Sequence, residues 1–89
     1  MTANPARNKQ IRRTVLEALR FAGGFALAEE VLMEHVSDLV HPALSYGEWG
    51  VTTAWLRDNG HIVAVVSDID PGMKQWAITE KGKTLLLTL

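Results

Sequence analysis

The chain has 89 residues, 47% of them hydrophobic and 21% charged, with a formal net charge of -1 and no cysteine. That length supports one modest core and is too short for a deep catalytic cleft between domains, and the charge balance lacks the cation excess of a dedicated nucleic-acid binder. Disulfides and thiolate metal sites are excluded, and no apolar run approaches the roughly 20 residues that span a bilayer, so the expectation is a soluble cytoplasmic protein with no membrane contact.

Residues 1–7, with Pro5 among small polar neighbours, read as a flexible basic arm, and 8–89 as one folded domain. A helix is predicted from Asn8, because Ile11, Val15, Ala18, Leu19 and Ala22 fall on one apolar stripe and Gly23-Gly24 ends it. Arg12, Arg13, Glu17 and Arg20 occupy its solvated face. Phe25-Ala26-Leu27 is long enough only to add to a sheet edge. A second helix follows, with Ala28, Val31, Leu32, His35 and Leu39 inward, Val36 as a further inward candidate, and Glu29, Glu30, Glu34 and Asp38 outward. The acids at its start suit the positive end of the helix dipole. The proline in "HPALS" breaks the pattern and makes the turn to a third helix.

That third helix is predicted from Ser45, a capping residue, to Asn59-Gly60. Tyr46, Trp49, Thr53 and Leu56 should pack inward, leaving Glu48, Val51, Thr52 and Trp55 outside. "HIVAVVSD" is a strand with Ile62, Ala64 and Val66 on one face, "DIDPGM" a turn, and "KQWAI" the return strand with Trp76 and Ile78 buried. Thr79 caps a short final helix, "EKGKTLLL", which Gly82 weakens, so that it depends on tertiary contacts.

This order, together with "AWLRDNGHIV" and "WAITEKGKTLL", resembles the winged-helix superfamily. Leu56, Gly60 and Ile62 stand where many members end helix three, and Thr79 to Gly82 where they close the wing. The resemblance implies an α+β winged helix-turn-helix fold, with a three-helix core, a two- to three-stranded antiparallel wing and a short C-terminal helix. It also implies DNA binding through helix three and the wing. By length and overall pattern the chain is further similar to the small ArsR-like winged-helix proteins of Mu-like prophages, which implies transcription regulation in a phage setting. It departs from ArsR metal sensors in having no cysteine ligands, so no metal or cofactor is expected.

For double-stranded DNA, the candidate phosphate contacts are Arg7, Lys9, Arg12, Arg13 and, in the wing, Lys74. The candidates on the recognition helix are Ser45, Glu48 and Thr52. Opposing this reading, no Lys or Arg lies between Arg20 and Arg57, a span that holds Glu29, Glu30, Glu34, Asp38 and Glu48. The alternative is a protein-interaction module that does not bind DNA, with Val51 and Trp55 as its contact pair at i, i+4, unless Trp55 folds back against the wing. Leu85, Leu86 and Leu87 exceed one core-facing stripe, so the last helix or the first is expected to form a homodimer seam. Only His35, His41 and His61 suit acid-base work near neutral pH, and they accompany no nucleophile elbow, phosphate loop or His-Glu-x-x-His. The chain is expected not to be an enzyme.

Overall fold

The computed structural model describes residues 4–89. In chain order the elements are α1 (Pro5–Phe21), β1 (Leu27–Ala28), α2 (Glu29–Leu39), α3 (Tyr46–Asp58), β2 (Ile62–Val66), β3 (Lys74–Ile78) and α4 (Glu80–Thr88). The first helix starts three residues earlier than the stripe predicts. Asn4 caps it by accepting from the Arg7 amide, and Pro5 sits in its first turn, where a missing N–H costs nothing. Residues 5–7 of the expected arm are therefore helical, and residues 1–3 of that arm lie outside the described residues. Positive φ at Gly23 and Gly24 turns the chain out of α1, as Gly23-Gly24 suggested.

The three strands form one antiparallel sheet in the order β1-β3-β2, with Leu27 opposite Trp76 and Ala64 opposite Trp76 from the other side. Ile11, Val15, Leu16 and Leu19 of α1 join Leu32 and Val36 of α2, Leu56 of α3, and Ile62 and Trp76 of the sheet in a single core. Leu16 enters this core although the predicted stripe omitted it, because α4 covers that flank of α1 and buries Leu86 beside it.

Several inward assignments fail in one direction. Val31, His35 and Leu39 of α2 are exposed, with His35 and Leu39 lining an open depression against Thr14, Glu17 and Phe21 of α1, while Leu32 and Val36 take the buried edge of that helix. Tyr46 is 82% exposed, since α3 begins beyond the edge of the core. In β2 only Ile62 is deeply buried, while Ala64 and Val66 face solvent, because the hairpin leaves the core after its first residue. The return strand keeps its predicted face, with Trp76 buried and Ile78 packed on the core.

Candidate nucleic-acid interface

Helix α3 is started by a reciprocal cap. The Ser45 hydroxyl accepts from the Glu48 amide at 3.1 Å, and the Glu48 carboxylate accepts from the Ser45 amide at 3.1 Å. The same carboxylate takes the Arg7 guanidinium from α1 through both oxygens, with Nη2 to Oε1 at 3.0 Å. Arg7 Nη2 also donates to the Pro42 carbonyl at 2.8 Å and to that of Ala43 at 3.3 Å, so one guanidinium ties α1, the α2–α3 turn and the start of α3 together. The Arg7 hydrogen bond, then the Ser45 amide, holds the Glu48 carboxyl down at about 2. Two residues expected at DNA thus neutralise each other, and Ser45 spends its oxygen on the cap.

Thr52, expected outside, is 5% exposed. It lies beside Trp49 and Leu56 on the buried side of α3, so it is removed as a groove contact. Trp55 is folded inward too. Its ring lies under the Arg12 guanidinium at 3.7 Å and stacks on the His61 ring with centroids 5.4 Å apart. Both Trp55 as a protein contact and Arg12 as a freely reaching phosphate contact are revised by this one stack, in which a cation covers an aromatic face. Sequence spacing cannot anticipate it, because Arg12 and Trp55 sit on helices that meet only in the tertiary fold. Burial pushes the His61 pKa below its usual value, and its Nδ1 has no hydrogen-bond partner.

The outer face of α3 is therefore Gly47, Gly50 and Val51, with Ala54 partly covered and Arg57 at the far end, hydrogen-bonded to Asp58. Of these, the sequence reading named only Val51. Among the cations, Lys9 is exposed, Arg13 pairs with Glu17 at 2.9 Å, and Lys74 lies 3.8 Å from Glu29, whose carboxylate also accepts from the Trp76 indole N–H at 2.8 Å. The wing turn is ordered by its own contacts, since Ser67 Oγ accepts from the Ile69 and Asp70 amides, and Asp70 Oδ1 from Gly72. His35 and His41 are exposed and apart from His61. Among the described residues no group of three or more His, Cys, Asp or Glu is placed to hold a metal ion.

Comparison with solved structures finds the same arrangement elsewhere. A proposed transcriptional regulator of Thermoplasma acidophilum superposes with a TM-score of 0.75 at 17% identity, covering 98% of this chain and 81% of that one. The fold is a winged helix. The PcaV transcriptional regulator of Streptomyces coelicolor, solved with its natural ligand, superposes with a TM-score of 0.68 at 19% identity, covering 97% of this winged-helix chain and 51% of PcaV. The chain thus spans about half of that relative's length. No family model and no curated protein matches the sequence. Among the described residues no helix is long and apolar enough to cross a membrane.

Proposed function

We propose that this winged-helix chain is a DNA-binding transcriptional regulator that presents the outer face of α3 to a groove of duplex DNA. The observation that carries the reading is the shape of that face. Gly47 and Gly50 have no side chain to hold the helix backbone away from the groove, and Val51 offers an apolar contact of the kind a thymine methyl takes. The similarity of fold to two transcriptional regulators supports it. Lys9 on α1, Arg57 on α3, Lys74 at the wing and Lys81, which lies against Gly60 where α3 ends, would meet phosphates around α3. The sequence resemblance to prophage winged-helix proteins supports a further reading of this activity as that of a phage-type regulator acting in the cytoplasm without catalysis.

Titration of labelled mixed-sequence duplex by fluorescence anisotropy tests it. Binding should appear at low salt and weaken as salt rises, and Val51→Glu should reduce it at least tenfold while leaving the fold intact. Absence of binding at low salt, or a Val51→Glu protein that binds as well as the parent, would remove α3 from the interface.

A further inference from the structure

Charge is divided between the two sides of the molecule. Helices α1 and α4 hold seven of the nine cations and two of the ten acids, a balance of +5, and the rest of the chain carries -6, which together give the net -1. Within this division are two helical rows of opposite sign. On α2, Glu30, Glu34 and Asp38 repeat at i, i+4 and i+8, a spacing at which like charges repel, and among the described residues none has a cationic partner. On α1, Lys9, Arg13 and Arg20 form an outward row in which, among the described residues, only Arg13 has an acidic partner.

Each row borders a depression that holds exposed apolar side chains. Arg13 and Arg20 line one of about 640 Å³ together with Glu17, the partner of Arg13, with Phe21, which is 94% exposed, and with Leu87, which is 77% exposed. Glu34 and Asp38 line another of about 280 Å³ together with Met33, Leu44 and the exposed Tyr46. The first lies between α1 and α4 and the second between α2 and the start of α3. The rows therefore belong to different sides of the chain and do not meet within one copy, whereas two copies offset from each other can bring them together.

We propose that copies of this chain associate head to tail, with the Arg13–Arg20 face of one copy seated on the Glu34–Asp38 face of the next. Each contact joins an apolar centre to a charged row of opposite sign, the composition of a specific interface with a polar rim. Because the two patches lie on different sides of a copy, one pair of copies does not make both contacts at once, so the contact does not close as a two-fold dimer and can repeat along a series of copies. It also covers the acid row beside the start of α3 with cations. The inference does not depend on DNA binding, and its test contains no DNA.

Sedimentation velocity on the whole chain, over a concentration series at low and near-physiological salt, reads the assembly. The parent should exceed twice the monomer mass at high concentration in low salt and return towards monomer as salt screens the rows. Arg13→Glu/Arg20→Glu and Glu34→Lys/Asp38→Lys should each be monomeric when alone, with unchanged far-ultraviolet circular dichroism because all four side chains are exposed. Mixed in equal amounts, they present opposite charge at both contacts, and association should return. A parent that stays monomeric throughout would overturn the proposal. So would a parent that stops at a salt-insensitive dimer, or two variants that fail to rescue each other.

Discussion

Gly82 shows how a single missing side chain can fix a junction. A Cβ there would stand 2.2 Å from the His61 carbonyl oxygen and 2.8 Å from Ile78 Cγ1, so α4 approaches the start of β2 more closely than any other residue allows. The helix-weakening glycine is thus the condition for docking the helix. Gly82→Ala should destabilise the chain by about 1–3 kcal/mol, the range for overpacking a tight contact, as read by urea denaturation; a neutral result would mean that α4 docks differently. Glu48 is the second such residue, because it serves a cap and an ion pair together. Glu48→Ala should cost about 1–2 kcal/mol at neutral pH, mostly from the cap, since the partly exposed pair with Arg7 adds little. The folded carboxyl titrates at about 2 against an ordinary 4.5. This contribution is therefore fully present above pH 4.5 and is lost as pH falls through about 2, so parent and variant should converge in acid.

At the scale of elements, α1, α3 and β2 are held together by the Arg12, Trp55 and His61 stack rather than by aliphatic packing alone. Trp55→Ala should therefore lower stability by about 2–3 kcal/mol, somewhat below the roughly 3–5 of a fully buried tryptophan. An unchanged melting temperature would mean that Trp55 is free to serve a partner after all. His61 sits at the seam where α3 ends, β2 begins and α4 docks, with its carbonyl accepting from the Thr79 amide and hydroxyl. Its folded pKa is depressed, chiefly by burial, so the unfolded chain binds the extra proton first. Stability from neutral His61 is complete above the ordinary 6.5 and declines as pH falls towards the folded value. His61→Phe should flatten this mildly acidic slope in a pH series of thermal melts, and an identical slope in the variant would clear His61 of any part in it.

For the whole molecule, the separation of charge limits how DNA can be held. Among the described residues, Lys9 on α1, Arg57 on α3, Lys74 in the wing and Lys81, which lies against Gly60 where α3 ends, are the cations left for phosphates around α3. About four neutralised phosphates at roughly -0.9 each predict a slope of log K against log salt no steeper than about -4. A steeper slope would show that Arg13 and Arg20 also meet DNA. Much of this architecture is legible in the sequence. The caps Ser45 and Thr79, the Gly23-Gly24 and Asn59-Gly60 stops and the strand alternation around Trp76 are local signals, each set by backbone geometry within a few residues. The candidate interface was less legible, because Glu48, Thr52 and Trp55 on α3 owe their surroundings to α1 and β2.

The sequence by itself determined the order and type of elements, the winged-helix resemblance and the scarcity of cations between Arg20 and Arg57. Those depend on short-range periodicity, capping and composition. Only the tertiary structure decided that Arg7 is matched to Glu48, that Trp55 is covered by Arg12, and that α2 presents its acids on one side while α1 presents its cations on another. The physical reason is that helical spacing gives the angle of a side chain about its own axis, whereas burial and pairing depend on which neighbour the fold brings to that angle.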